Sequence, residues 1–147
     1  MTEQTEDQRT LVSLRIEAQQ QYEGQLTVQF TGLDAAGASL VGSLGMSTDQ
    51  LTELRDRLGR VADGTAPAEG GLGYGRPDEP RIVFNLKGVG ASLFQFEFIV
   101  AYATGQEGYR PDTLRATVSQ AALSRLVAGL DQIVQGGQGV VNWVVSQ

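Results

Sequence analysis

Apolar and polar residues alternate along residues 10–17 and again along residues 25–31, and a weaker alternation covers residues 38–46. A period of two places all the apolar side chains of a segment on one face of a strand. We therefore predict three half-buried β-strands. The segment between the second and third contains Asp and Gly, which is typical of a hairpin turn.

The pattern changes to a helical one at residues 47–64, STDQLTELRDRLGRVADG. Ser47 with Gln50 three positions later predicts a capping box at the start, and Gly64 predicts the C-terminal stop. The apolar stripe has the spacing of three and four that marks one face of an amphipathic helix. Its members are Leu51, Leu54, Leu58 and Val61.

The second half of the chain repeats this order. We predict strands near residues 82–86, 93–104 and 113–118, followed by a helix at residues 119–136, SQAALSRLVAGLDQIVQG. The stripe of this helix lies 72 positions after that of the first. Its members are Leu123, Leu126, Leu130 and Ile133.

The same offset aligns strand residues as well. Val28 and Phe30 match Val100 and Tyr102, and Leu14 matches Leu86. We interpret residues 10–64 and 81–136 as two copies of a β-β-β-α unit. Two similar helices in an ordinary α+β domain are the alternative, and both interpretations predict the same architecture.

The predicted fold is a single α+β domain spanning residues 1–147. It has two layers, an antiparallel sheet of about six or seven strands with both helices on one face. Residues 64–80 hold five of the 19 glycines and three of the four prolines, which predicts a flexible linker without regular structure. Residues 139–147 are expected to form a C-terminal strand.

Composition excludes several functions. The chain has no cysteine and no histidine, which removes thiol chemistry, His-based catalysis and the usual zinc and copper ligands. Its net charge of −6 argues against binding to nucleic acid or to an anionic membrane surface. No cofactor or metal is expected. The acidic N-terminus lacks a signal-peptide pattern and no apolar run is long enough to span a membrane, so we expect a cytoplasmic protein.

The catalytic and phosphate-binding motifs that the chain contains are weak. GLGYG, at residues 71–75, follows a helix and precedes a strand, the reverse of a phosphate-binding glycine loop. KGVG, at residues 87–90, is better interpreted as a turn or bulge. A dyad of Lys87 with Ser92 has no support beyond closeness in sequence. We therefore expect no enzyme activity.

The second helix has lost most of the charged outer face of the first. The positions of Arg55, Asp56, Arg57 and Arg60 correspond to Val127, Ala128, Gly129 and Gln132. Val127 and Val134 add a second apolar stripe to this helix. Either the helix packs more deeply, under the C-terminal segment, or it presents a surface for self-association or for a partner.

Two further features suggest contact residues. The segment VVNWVV, at residues 140–145, carries the only tryptophan, Trp143, and forms either a last strand of the sheet or a strand that adds to a partner. GYGRPD and GYRPD are expected as loops that each present a Tyr and an Arg, residue types common in binding hot spots. Turn formation alone also explains both loops. Their candidate residues are Tyr74, Arg76, Tyr109 and Arg110.

The order of strand hairpins before an L-x-x-L-x-x-x-L helix, at residues 51–58 and 123–130, resembles that of WapI-like bacterial immunity proteins. The resemblance implies a compact acidic protein that binds another protein and catalyses nothing, and it carries over no site residues. We therefore expect a protein-binding or assembly module. The alternative is a small-ligand-binding domain with a cavity between the helices and the sheet face of Phe94, Phe96 and Phe98.

Overall fold

The computed structural model describes residues 10–65, 70–75, 80–103 and 109–145, apart from the side chains of residues 102–103 and 109–111. Within these residues the protein is α+β, with two helices and eight antiparallel strands in two sheets of four. The elements are β1 (Leu11–Tyr22), β2 (Gln25–Asp34), β3 (Ser39–Ser47), α1 (Thr48–Ala62), β4 (Gly71–Tyr74), β5 (Arg81–Gly90), β6 (Leu93–Ala103), β7 (Tyr109–Ser119), α2 (Gln120–Gly136) and β8 (Gly139–Val144).

The strands form two separate sheets. Sheet 1 has the order β3-β2-β1-β8 and sheet 2 the order β4-β5-β6-β7. The prediction of one sheet of six or seven strands is therefore wrong, although its class and helix count are confirmed. Alternation shows only that one face of each strand is buried, and it does not reveal whether a helix or a second sheet covers that face.

The fourth strand of each sheet comes from the other half of the chain. β8 follows α2 and pairs with β1, from Ser13 opposite Val144 to Ala18 opposite Gly139. β4 follows α1 and pairs with β5, from Gly71 opposite Asn85 to Tyr74 opposite Ile82. Each helix therefore follows an edge strand of one sheet and leads into an edge strand of the other.

β4 lies inside the segment predicted to be a flexible linker. Leu72 and Tyr74 point to the buried side, and Gly71 and Gly73 lie on the outer side. The prediction that residues 64–80 contain no regular element is therefore wrong. The alternation of Leu72 and Tyr74 was the signal for a strand, and the surrounding glycines and prolines obscured it.

The inner faces of the two sheets pack on each other through aromatic rings. The ring of Phe30 in sheet 1 lies 5.4 Å from that of Phe84 and 6.4 Å from that of Phe98 in sheet 2. Gly42 allows the backbone of β3 to approach, because a Cβ atom there would lie 2.3 Å from Cδ1 of the fully buried Ile82. This contact between the sheets forms a large part of the core.

Both helices begin at the serines predicted from the sequence. Ser47 accepts a hydrogen bond from the backbone N–H of Gln50, whose side-chain oxygen accepts one from the N–H of Ser47. The capping box is therefore confirmed. The side chain of Ser119 caps α2 by accepting a hydrogen bond from the N–H of Ala122, and Gly137 ends that helix in the left-handed conformation.

The sequence offset between corresponding residues of the two halves is not the same for the helices as for the strands. The cap Ser47 lies opposite Gln25 in the ladder of β2 and β3, and the cap Ser119 lies opposite Leu93 in the ladder of β6 and β7. The caps are 72 positions apart, but Gln25 and Leu93 are 68 positions apart. The hairpin of β6 and β7 is therefore longer by four residues.

This difference corrects the strand correspondences predicted at an offset of 72. The ladders match Val28 to Phe96, Phe30 to Phe98 and Leu14 to Ile82. The corresponding strand positions are therefore four residues earlier in the second half than the sequence comparison indicated, whereas the helix correspondence is unchanged.

The solvent side of sheet 1 carries mostly uncharged residues and one ion pair. We call it the outer face of sheet 1, and its fifteen residues alternate with the buried ones along the four strands. In rows across β3, β2, β1 and β8 they are Ser39, Leu33, Ser13 and Val144; Val41, Thr31, Arg15 and Asn142; Ser43, Gln29, Glu17 and Val140; and Gly45, Thr27 and Gln19.

The packing of α2 on β8 generates a stability prediction. A Cβ atom on Gly129 would lie 2.6 Å from Cγ1 of Val141, whereas one on Gly136 would meet nothing within 4 Å. We expect Gly129→Ala to lower the free energy of unfolding by about 1–2 kcal/mol, because overpacking outweighs the gain in helix propensity. Urea unfolding measures this effect, and Gly136→Ala is the matched control, expected to be neutral or slightly stabilising.

A Val141→Ala background removes the methyl groups that an alanine at position 129 would meet. Gly129→Ala should then cost much less than in the wild type, which a double-mutant cycle detects. Equal stability of Gly129→Ala and Gly136→Ala in the wild-type background would contradict the close packing of α2 on β8.

Candidate functional site

The two helices lie side by side and run antiparallel. Arg55 on α1 reaches Asp131 on α2, and Gly59 faces Val127, so positions rise along one helix as they fall along the other. A Cβ atom on Gly59 would lie 3.6 Å from Cγ1 of Val127, which places the helices in ordinary van der Waals contact there. The side chain of Gln120 also donates to the carbonyl oxygen of Ala62 and joins the ends of the pair.

A groove of about 380 Å³ runs along the outer side of the helix pair. We call it the interhelical groove. It has a half-buried valine among charged side chains from both helices. Its lining residues are Arg55, Asp56, Gly59, Arg60, Asp63, Val127 and Asp131.

Ion pairs join three of the five charged side chains at the groove. Nη2 of Arg55 lies 2.9 Å from Oδ1 of Asp56, and Nη1 lies 2.8 Å from Oδ1 of Asp131. The hydrogen bond to Asp56, together with the interaction with Asp131, raises the pKa of the Arg55 guanidinium. The pairs are partly exposed, so each contributes only roughly 0.2–1 kcal/mol to stability. The pair with Asp131 links α1 to α2 at the rim of the groove.

The structure brings one predicted contact residue into this groove. Val127 and Val134 are both half-buried and pack against the core, but only Val127 lines the groove, and Val134 lies two turns further along α2. Of the other positions that lost their charge, Gly129 packs on Val141, and Ala128 and Gln132 are exposed. Packing under the C-terminal strand therefore explains Gly129, whereas Val127 faces Gly59 of α1.

Trp143 belongs to the core of the fold. Its side chain is 2 % exposed, its Nε1–H donates to the carbonyl oxygen of Ala122 at 2.8 Å, and its ring lies 5.1 Å from that of Phe96. The predicted C-terminal strand is β8, which pairs with β1 of its own chain. Trp143 therefore does not offer its ring to a partner in this structure.

Tyr74 is also buried, at 5 % exposure, and its hydroxyl lies 3.4 Å from Oε1 of Glu53. Burial and the neighbouring carboxylate raise the pKa of this hydroxyl. Tyr74 lies opposite Ile82 and Trp143 lies opposite Leu14, so the two aromatic residues occupy corresponding places in the two sheets.

The structure describes the two predicted contact loops only in part, so the contact surface expected from them stays a prediction. Tyr109 and Arg110 begin strand β7 rather than forming a loop. Their side chains, and Arg76 altogether, lie outside the described residues. No shared surface of these residues with Tyr74 is therefore assigned.

The space expected for a small ligand contains aromatic side chains. Phe96 and Phe98 are fully buried, and the rings of Phe84 and Phe96 lie 5.9 Å apart. Two smaller grooves, each of about 240 Å³, lie on the outer sides of the sheets instead. The small-ligand alternative stays a prediction.

Sequence reasoning missed the pairing of Arg55 with Asp131, which are 76 residues apart. No local spacing predicts such a contact, since it depends on how the two helices meet. The only sequence signal is that the two helices carry different residues at matched positions, which singled out Val127.

Comparisons with known proteins do not assign a family. No protein-family model matches the chain, and a search of curated proteins finds no significant match. Among the residues that the structure describes, no group of three or more acidic side chains is arranged to hold a metal ion. Neither α1 nor α2 is long and apolar enough to cross a membrane.

The placement of Trp143 is testable by fluorescence. Because its indole is buried and hydrogen-bonded, we expect its emission to lie at shorter wavelength than that of tryptophan in water, and acrylamide to quench it weakly. Trp143→Ala should lower the free energy of unfolding by about 3–5 kcal/mol. The control Tyr22→Ala removes an aromatic side chain that is 76 % exposed, and it should change stability by no more than about 0.5 kcal/mol. Emission typical of a solvated indole would refute the buried placement.

Proposed function

We propose that the protein is a non-enzymatic protein-binding or assembly module and that the interhelical groove is its docking site. The observation that carries the proposal is the half-buried Val127 among the charged side chains of the groove. Protein interfaces commonly have this arrangement, with an apolar centre that loses its water and a polar rim around it.

One charged side chain of the groove rim, Arg55, is already held in place in the free protein. Arg55 is held by Asp56 and Asp131, so a partner does not have to order it. Immobilising a long side chain on association costs roughly 0.5–1.5 kcal/mol. A rim that is already ordered avoids this cost and favours one orientation of the partner.

The shape of the groove suggests the kind of partner. A groove between two antiparallel helices accepts the ridge of side chains on a third helix. Three carboxylates and two guanidinium groups line it, and Arg55 contacts two of the carboxylates. We infer an amphipathic helix that places an apolar side chain on Val127 and a basic side chain near Asp63.

The net charge of −6 favours the same partner, because an acidic protein attracts a basic one at long range. The resemblance to WapI-like immunity proteins implies a compact acidic protein that binds another protein, which agrees with this proposal. We place the interaction in the cytoplasm of a bacterial cell.

We further infer that the chain arose by duplication of a β-β-β-α unit followed by one strand. The repeated element order, the matching serine caps and the corresponding positions of Tyr74 and Trp143 support this origin. After duplication the two helices acquired different faces. Val127 replaced the charge that Arg55 has on the other helix, which fits the acquisition of one docking site rather than two.

The docking site is tested with two variants that add the same charge one residue apart. Val127→Arg puts a cation inside the groove, and Ala128→Arg puts it on the exposed neighbour outside the groove. Tagged wild type and both variants are incubated with extract of the source cell, and the main protein retained by the wild type is purified and titrated by calorimetry. We expect Val127→Arg to weaken its binding at least about tenfold and Ala128→Arg to leave it unchanged.

A rim variant, Asp63→Ala, should weaken binding without any change in the packing of Val127. Urea unfolding of each variant separates loss of binding from loss of fold. Equal affinity of wild type and Val127→Arg would show that the groove is not the docking site. If the wild type retains no protein beyond a tag-only control, the partner-binding function itself is contradicted.

A further inference from the structure

The outer face of sheet 1 differs from the rest of the molecule in its charge. Of its fifteen residues only Arg15 and Glu17 are charged, so the face is neutral on a chain of net charge −6. The remaining polar side chains are hydroxyls and amides. Depletion of charge is the compositional mark of the centre of a protein interface.

The same face exposes apolar side chains. Leu33 is 37 % exposed, Val41 is 38 % exposed and Val140 is 47 % exposed. They lie on three different strands of the face, β2, β3 and β8. Removing a face of such residues and uncharged polar ones from water costs less free energy than removing a charged face.

We propose that this face is a self-association surface, on which a second copy of the chain packs face to face about a two-fold axis. The ion pair supports a second copy over another partner. Arg15 and Glu17 are neighbours on the same side of β1, with Nε 3.8 Å from Oε1 and both side chains solvent-accessible. The two-fold axis lies parallel to the face, perpendicular to the strands, and midway between the row of Arg15 and the row of Glu17. It places Arg15 opposite Glu17 of the second copy and Glu17 opposite its Arg15. A symmetric interface requires this reciprocity.

The other positions of the two rows are compatible with the same axis. It places Thr31 opposite Gln29 of the second copy, Val41 opposite Ser43, and Asn142 opposite Val140. These pairs bring no like charges together. The twist of each sheet turns the strands of the two copies by about 30° relative to each other, as in other face-to-face packings.

The outer face of sheet 2 does not have this self-complementarity. Among the described residues of its strands it carries Arg81, Lys87 and Arg115 against one acid, Glu97. Glu97 already accepts hydrogen bonds from Asn85 and Arg115. Two such faces would bring an excess of positive charge together. Charge therefore selects the outer face of sheet 1 for contact between two copies.

The size of the face is sufficient for a small interface. Each of the fifteen residues covers about 4.8 Å by 6.7 Å of the face, so the face covers roughly 500 Å². Two copies would bury roughly 1,000 Å² in total, at the lower limit for specific association. We therefore expect a dimer that dissociates on dilution.

Charge reversal tests the proposal in the full chain by sedimentation equilibrium over a wide concentration range. Arg15→Glu and Glu17→Arg should each weaken dimerisation at least about tenfold, because each places like charges opposite each other in both halves of the interface. The double variant Arg15→Glu/Glu17→Arg should dimerise like the wild type. An equimolar mixture of the two single variants should form a heterodimer, since each then meets the opposite charge.

The matched control is Lys87→Glu, which makes the same kind of reversal on the outer face of sheet 2 and should leave dimerisation unchanged. Circular dichroism confirms that each variant is folded. The proposal is overturned if the wild type is monomeric at all concentrations, if single reversals have no effect, or if the mixture fails to associate. Val127→Arg should not affect the dimer, so failure of this proposal is distinguishable from failure of the docking site.

Discussion

The pairing of β8 with β1 is the constraint on which the rest of the fold depends. It joins residues 139–144 to residues 13–18, near opposite ends of the described chain. With the reciprocal pairing of β4 with β5, it means that neither half completes its own sheet. Each helix has to cross from one sheet to the other, and this crossing brings α1 and α2 side by side. The interhelical groove therefore results from the exchange of strands.

The same constraint predicts how the protein folds. The ladders within each half are local hairpins, but the ladder of β1 with β8 closes a loop of more than a hundred residues. Forming such distant contacts costs conformational entropy before the interactions compensate for it. We expect the hairpins and helix caps to form early and the last strand to dock late, with Trp143 entering the core as it does so.

Local chemistry determined what could be predicted from the sequence. The strands β1, β2, β3, β5, β6 and β7 and both helices follow from periodicity, and the Ser47 cap follows from its Gln50 partner. The arrangement of the sheets did not follow, because alternation does not identify the layer that covers a strand. The four extra residues of the β6–β7 hairpin also hid the true strand correspondence. In the candidate site, Val127 was predicted from a comparison of the helices, whereas Arg55 and Asp131 meet only through the fold.

The hydrogen bond from the N–H of Val145 to the carbonyl oxygen of Val12, at 3.0 Å, brings the end of β8 beside the start of β1. The end of β4 lies beside the start of β5 in the same way. In space, each element therefore lies beside the next one in chain order, and β8, the last strand, lies beside β1, the first. The order of the elements is circular. A chain opened between β4 and β5, with β8 linked to β1, would have every strand beside its present neighbours. The architecture thus depends on the circular order of the elements rather than on where the chain is opened.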